Sequence, residues 1–442
     1  MEKTMRAVRC HRFALVEEEE DVEKGVQKDH QRQRKSFKSR SVPLRLRDCL
    51  TLDTVPLPNE YYFNNRHDDE TKSESSESNN TKVLIRTEYA GIQYPDALQA
   101  QGLYQVKPAL PYIPGMDVVG VVVKVIHPSS GQANNYNGNS NSNNNNMILL
   151  RPGDRVLATM LESGGTGGMS QFVVVPLKFV YKLPENIITS SSSSSSLAAA
   201  AAAFANVGRN YFAAYHSLVE VGRINIRTNN DNDSNNDNNI KKQKQKIVLV
   251  TGASGGVGMA TIELAKAMGC TVIAGVGSTD KRNGPNSVGA DAVFCYGRSK
   301  NERRDFRKQV LQFCHTTTTS VGVDLVVDVV MGDLFEEALI GCVKPLGTIA
   351  LVGFAAGQRK IRPGLLLVKE VRVAGSIWGR IANEATEQQG ENNKYRTMVE
   401  TILGYFANGK INPRVDRIVP LSKFIDAFEV FEVNKGKGNT VV

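Results

Sequence analysis

The stretch Ile247-Val248-Leu249-Val250-Thr251-Gly252-Ala253-Ser254-Gly255-Gly256-Val257-Gly258, continued by Met259-Ala260-Thr261-Ile262-Glu263-Leu264-Ala265-Lys266, decides how this chain folds. An apolar strand runs into a glycine-rich turn, and the turn opens a helix with apolar residues at helical spacing. Glycine lets the backbone turn tightly and lets an anion approach with no Cβ in the way. The first N–H groups of such a helix lack intrahelical acceptors and lie at the positive end of its dipole. Strand, glycine turn and helix, in that order, are the setting of a dinucleotide-binding fingerprint. The spacing here is Ala253-x-Gly255-x-x-Gly258, with alanine at the first glycine position. A turn that merely packs a helix on a sheet is the plainer alternative. Against it stands a second strand, Thr271 to Val276, that follows the helix. Ala253, Ser254, Gly255, Gly256, Val257 and Gly258 are therefore expected to hold the cofactor.

Around this loop the second half of the chain alternates strand and helix. Apolar, β-branched runs predict strands near 247–250, 271–276, 291–296, 323–330, 347–353 and 371–375. Helical periodicity falls at 258–268, 303–313, 333–342 and 396–408. That alternation predicts an α/β fold with a doubly wound parallel sheet. Gly269, Gly289 and Gly347 stand where helices should end before strands. The tail from Pro420 to Glu429 has an apolar face behind Ser422 and reads as a helix capped by that serine.

The first half reads differently. Short valine-rich runs predict strands at Met5 to Arg9, Val83 to Glu88, Val118 to Ile126, Arg155 to Ala158 and Gln171 to Val175. Turn signals at Pro111 to Gly115, Arg151 to Asp154 and Gly164 to Gly168 separate them, so a β-rich, partly barrel-like domain is expected. Five polar tracts interrupt the pattern: Glu17 to Arg40, Asn64 to Asn80, Ser129 to Asn146, Ser190 to Ser196 and Thr228 to Asn239. They carry too little apolar surface to offset ordering entropy, and they read as loop expansions, which cost little in closure. The alanine run Leu197 to Ala203 reads as the start of a helix.

The bulk composition excludes several classes. A chain of 442 residues with 41% hydrophobic and 22% charged residues is ordinary for a two-domain globular protein. No apolar stretch reaches the ~18 residues that span a bilayer. Six scattered cysteines with no Cys-x-x-Cys pair argue against a zinc ribbon or a disulfide framework. The net charge of +9 raises nucleic acid as a partner, but the basic runs Gln31 to Arg40 and Lys241 to Lys246 lie beside the polar tracts, where solvated loops are expected. The N-terminus lacks the apolar core of a secretory signal, so a soluble cytoplasmic protein is expected.

At this point several stretches resemble one family. Gly91-Ile92-Gln93-Tyr94-Pro95-Asp96-Ala97-Leu98, then Gly102-Leu103-Tyr104 and Leu110-Pro111-Tyr112-Ile113-Pro114-Gly115-Met116-Asp117, are similar to the first-domain signature of the medium-chain dehydrogenase/reductase superfamily. Gly153-Asp154-Arg155-Val156, the loop Gly252 to Gly258, Val327-Asp328, and Gly332-Asp333 with Phe335 follow in the family's order. The branch most resembled is the zinc-free quinone oxidoreductases of the zeta-crystallin type. Gly364 to Lys369 and Trp378-Gly379-Arg380 resemble its quinone oxidoreductase-like protein 2 subgroup. The resemblance implies a GroES-like catalytic domain over residues 1–204, completed by 380–442, around a Rossmann domain over 205–379.

The same resemblance implies site chemistry. Zinc relatives carry a His ligand where this chain has Met116, and no cysteine lies between Cys49 and Cys270, so no metal is expected. His67 and His127 lie in or beside polar tracts. NAD enzymes place an acid at the end of the second strand, on the ribose 2′-OH. Here that strand ends Gly275-Val276-Gly277-Ser278, and Lys281-Arg282 follow Asp280. A carboxylate facing a 2′-phosphate would repel it by about 4 kcal/mol at roughly 4 Å and an effective dielectric near 20. NADPH is therefore the expected cofactor, its 2′-phosphate implied at Ser278, Lys281 and Tyr296, its nicotinamide near Gly353 and Phe354. Tyr94, Asp96 and Tyr104 are the catalytic candidates, either tyrosine able to hydrogen-bond a developing oxyanion or simply to pack. Gln93 replaces the family's Asn, Ala213 a Thr, and Met331 a Gly. The implied activity is hydride transfer to a quinone or an α,β-unsaturated carbonyl compound by a homodimer that pairs through the edge strand near 371–375. The alternative is a non-catalytic, crystallin-like NADPH-binding protein with an RNA or protein partner.

Overall fold

The computed structural model describes residues 4–11, 46–58, 81–104, 107–126, 150–159, 167–184, 194–224, 245–384, 393–432 and 440–442. Four of the polar tracts, together with His67, His127 and most of both basic runs, lie outside the described residues. Two sheets organise the rest.

The first sheet is built by β3 (Lys82–Ile92), β4 (Asp117–Ile126), β5 (Arg155–Thr159), β6 (Phe172–Pro176) and β7 (Val180–Lys182), closed by β14 (Arg417–Ile418) and β15 (Thr440–Val441). Its order is β14-β15-β3-β4-β5-β7, with β6 also on β3. β3 pairs with β4 across two register irregularities, Leu84/Ile85 and Thr87/Tyr89, and with β6 in unbroken register. An antiparallel ribbon of β1 (Thr4–Cys10) and β2 (Leu50–Pro56) bridges to this sheet through Ala7–Ser170. C-terminal residues thus complete the N-terminal sheet, β15 pairing antiparallel with the end of β3.

The second sheet is parallel and six-stranded: β8 (Ile247–Val250), β9 (Thr271–Val276), β10 (Ala292–Cys295), β11 (Val323–Asp328), β12 (Val343–Leu351) and β13 (Arg372–Gly375), in the order β10-β9-β8-β11-β12-β13. This is the dinucleotide-binding strand order, with the switch in winding between β8 and β11. Its central strands are apolar on both faces, as strands covered on both sides by helices must be. Val248 and Val250 enter one core cluster, Ile247 and Leu249 the other. The first cluster continues without a break through helices Ser194–Phe204 and Val207–Tyr215 into the β-rich part.

Several elements depart from expectation. β12 begins at Val343, because its register against β11 absorbs a bulge around Leu346, which holds a positive φ of 62°. The serine tract does not remain loop to its end: Ser194 already starts the helix, which the following alanines propagate backwards. The helix expected over 333–342 is broken into Gly332–Leu334, a π-turn Phe335–Leu339 and Ile340–Cys342. Ser422 does not cap the tail helix; it lies inside a 3-10 turn, Leu421–Lys423, that leads into Phe424–Glu432.

Candidate active site

In a doubly wound sheet ligands bind beyond the carboxyl ends of the strands, at the switch point. There Thr251 to Gly258 leave β8 and enter helix Gly256–Ala267, two residues earlier than periodicity indicated. Gly252 takes a φ of 57°, which suits glycine. A Cβ on Gly258 would collide with the Gly252 carbonyl oxygen, so that glycine is dictated by the approach of helix to turn. Ala253, at the first glycine position, is buried and donates its N–H to Gly275 O at 3.1 Å, locking the loop to β9. Ser254 is half-buried beside it, and Gly255 caps the helix in extended conformation. The amides of Gly256, Val257 and Gly258 are those that helix geometry leaves over for an anion. Cradle and amide donors fit a pyrophosphate.

The loop is braced by a residue the fingerprint does not include. The Thr251 hydroxyl donates to Asp328 Oδ1 at 2.5 Å, and the same oxygen accepts the N–H groups of Val330 and Met331 at 3.0 Å. Burial, partly offset by these bonds, raises the Asp328 pKa. Met331, where the family resemblance implied glycine, adopts φ 55° and ψ −122°, and Gly332 follows at φ 57°. A conformation of this kind costs a non-glycine residue about 1–3 kcal/mol. Gly353 donates to Asp328 O at 3.3 Å, which places it at the same end of the sheet, and Phe354 beside it is 43% exposed.

β9 leads to the next group of candidate residues. Ser278 is extended just past β9, and its hydroxyl donates to Asp280 Oδ1 at 2.5 Å. Lys281, half-buried, closes the short turn Thr279–Lys281, and Arg282 follows with its Nε–H buried and lacking an acceptor among the described residues. Tyr296 donates its N–H to Val276 O at 2.9 Å, and burial raises its pKa. Its hydroxyl would be 3.4 Å from a Cβ on Gly277, so Tyr296 faces the position at which glycine replaces an acid, while Ser278, Asp280 and Lys281 follow in the adjoining turn. Hydroxyls and cations without a carboxylate at 277 are a donor set that fits a 2′-phosphate.

The first-domain candidates are placed by a turn and a buried ion pair. Tyr94 opens helix Tyr94–Ala100, 42% exposed, its ring 6.3 Å from that of Phe431 in the tail helix. Partial burial raises its pKa above the ordinary value, so the phenol stays protonated near neutrality. Asp96 is 1% exposed and already engaged: it accepts the Gln93 N–H at 2.8 Å and pairs with Arg209 Nη2 at 3.5 Å. Tyr104 is half-buried in the turn after that helix, its N–H on Leu98 O at 3.2 Å. These contacts tie Tyr94 to Phe431 and the turn to Arg209; they do not join either tyrosine to Gly353 or Phe354.

Sequence reasoning missed this polar junction. Asp117, 1% exposed, accepts from Gln93 Nε2 at 3.1 Å and from the Arg209 N–H at 2.9 Å. Its carboxyl is pushed up to about 6, burial outweighing Arg209. The signal was a lone arginine in the apolar run Val207 to Tyr215. A second junction sits on the nucleotide helix: Glu263 accepts from the Tyr211 hydroxyl and from the Asn412 N–H, so one carboxylate ties that helix to helix Val207–Tyr215 and to the C-terminal segment. Among the described residues no group of three His, Cys, Asp or Glu is placed to hold a metal ion, and at the expected position Met116 precedes an Asp117 committed to hydrogen bonds. No helix there is long and apolar enough to cross a membrane.

Comparison with known proteins agrees with this geometry. Residues 79–185 match the alcohol dehydrogenase GroES-like domain and residues 256–400 the zinc-binding dehydrogenase family. The chain is 27% identical over 375 residues to the quinone oxidoreductase-like protein 2 homolog of Nematostella vectensis, covering 84% of each chain. It is 26% identical over 363 residues to the quinone oxidoreductase of Mus musculus, covering 81% of this chain and 87% of that one. Among solved structures, the quinone oxidoreductase of Thermus thermophilus, described also in complex with NADPH, superposes with a TM-score of 0.56 at 22% identity, covering 89% of this chain and 96% of that one. A probable oxidoreductase of Mycobacterium abscessus reaches 0.63 at 22% identity, covering 99% and 98%. With a GroES-like domain, a dinucleotide-binding sheet and these relatives, the chain belongs to the medium-chain dehydrogenase/reductase superfamily, among its quinone oxidoreductase-like proteins.

Proposed function

We propose that the chain is an NADPH-dependent reductase of quinones or α,β-unsaturated carbonyl compounds that works without zinc. The observation that carries the reading is the grouping of Ser278, Lys281, Arg282 and Tyr296 past β9, with glycine at 277 where an NAD enzyme keeps an acid. The NADPH complex of the Thermus thermophilus relative supports the same cofactor. When bound, the reduced nicotinamide supplies a hydride to the acceptor. The chain's own residues then bind and orient. Gly255 to Gly258 hold the pyrophosphate, Lys281 the 2′-phosphate, and Gly353 with Phe354 flank the nicotinamide. Tyr94 or Tyr104 donates its phenolic proton as a hydrogen bond to the acceptor oxygen as charge develops there. Asp96 acts one step away, pinning the Gln93–Asp96 turn that presents Tyr94 to Arg209. In this reading residues 1–204 and 380–442 form the catalytic domain, and 205–379 the cofactor domain. Two chains pair through β13, the edge strand of the parallel sheet, which follows a short helix, Pro363–Lys369, that carries Leu367 and Val368, both 79% exposed.

The test is NADPH consumption by the purified protein, in the presence of a chelator, across ortho-quinones, para-quinones and enals. Turnover with NADPH that falls about tenfold or more with NADH or in Lys281→Ala supports the reading. NADPH binding with no turnover on any acceptor would favour the non-catalytic nucleotide-binding role.

A further inference from the structure

We propose that Asp280 is a residue that limits the choice between NADPH and NADH, by competing with the 2′-phosphate for the proton of Ser278. The proposal rests on the cofactor reading above and goes past it, because it predicts an opposing charge built into the site. Three observations carry it. The Ser278 hydroxyl, the first hydroxyl beyond β9, donates to Asp280 Oδ1 at 2.5 Å. A serine has one O–H to give, and a phosphate can only accept, so the two acceptors cannot both use it. Asp280 is exposed and lies in the turn that carries Lys281, so its negative charge sits among the cations that would recognise the phosphate. Arg282, next along, keeps a buried Nε–H without an acceptor among the described residues, which marks the segment as donor-rich.

The charges of Asp280, Lys281 and Arg282 sum to one positive charge, where the two cations alone would give two. The hydroxyl that should complete the phosphate site is spent on the aspartate. A ribose 2′-OH fares differently, because it can itself donate to a carboxylate. Asp280 therefore disfavours NADPH and tolerates NADH, and the preference of the chain is a balance between Lys281-Arg282 and Asp280. Replacing the carboxylate by its amide keeps the shape, removes the charge and leaves the hydroxyl free to turn.

The experiment is equilibrium binding of NADPH and of NADH to the full-length chain, followed by nucleotide fluorescence, for wild type and Asp280→Asn at low and moderate salt. NADPH affinity rises on the order of tenfold in the variant, from one unit charge removed at a partly screened site. NADH affinity stays within about twofold, and the NADPH affinity of the variant becomes more sensitive to salt. Asp280→Ala behaves alike. An NADPH affinity that is unchanged or weaker in both variants overturns the proposal. So does an equal change for both nucleotides, which would mean that Asp280 only supports its turn. A wild-type chain that binds neither nucleotide overturns the cofactor reading itself, and the proposal with it.

Discussion

Replacing Asp117 with asparagine should change how the stability of this protein depends on pH. The carboxyl lies at the start of β4, 1% exposed, held by Gln93 Nε2 and by the Arg209 N–H. Burial penalises its charged form more than Arg209 favours it, with Asp96 adding repulsion, and its pKa stands at about 6 against an ordinary 3.8. A carboxyl raised in the fold is more readily protonated there than in the unfolded chain. Its contribution is fully present below the unfolded value and is lost as pH rises through the folded one. That difference corresponds to roughly 3 kcal/mol. The Asp117→Asn side chain would keep the shape and an acceptor for both donors, and it does not titrate. Urea unfolding of both proteins across this interval, with linear extrapolation, isolates the difference. Between about pH 3 and pH 7 the stability gap should move by about 3 kcal/mol in favour of the variant. A gap constant to within about 0.5 kcal/mol, or one moving toward the wild type, would refute the view that burial outweighs Arg209 here.

Other consequences are equally direct. Gly258→Ala should destabilise the fold by about 1–3 kcal/mol and abolish the thermal shift produced by NADPH, because the new methyl runs into the Gly252 carbonyl oxygen. Tyr211→Phe leaves the buried Glu263 carboxylate one donor short and should cost about 2–3 kcal/mol in denaturant unfolding. If two chains pair through β13 as proposed, Leu367→Glu combined with Val368→Glu should lower the mass measured by light scattering to that of one chain, since both exposed side chains lie in the helix that leads into the edge strand. An unchanged mass would place the interface elsewhere.

The parallel sheet was legible almost to the residue, because buried parallel strands read as short apolar runs bounded by glycine. The exception, β12, starts four residues early: Pro345 and a bulged Leu346 disguise the run. The two-residue strand β14 carries too little pattern to be seen. The nucleotide loop was read from its glycines, but Asp328, which braces it, was noticed only as part of a resemblance. Asp117 and Arg209 are 92 positions apart in the chain, and Glu263 and Asn412 are 149 apart. Nothing local announces such pairs. Asp96 was legible as part of a signature turn, but its partners were not: its bonds to Gln93 and to Arg209, far along the chain, hold that turn in place.

The most direct test of the central claim is the fate of the transferred hydrogen. The purified protein would be mixed with NADPH deuterated at nicotinamide C4 and an enal, and the product examined by mass spectrometry and NMR. The account predicts one deuterium at the β-carbon of the reduced product, from one face of the nicotinamide only. Binding of the labelled nucleotide with no oxidation, or a reduced product free of deuterium whichever of the two C4 hydrogens is labelled, would contradict it.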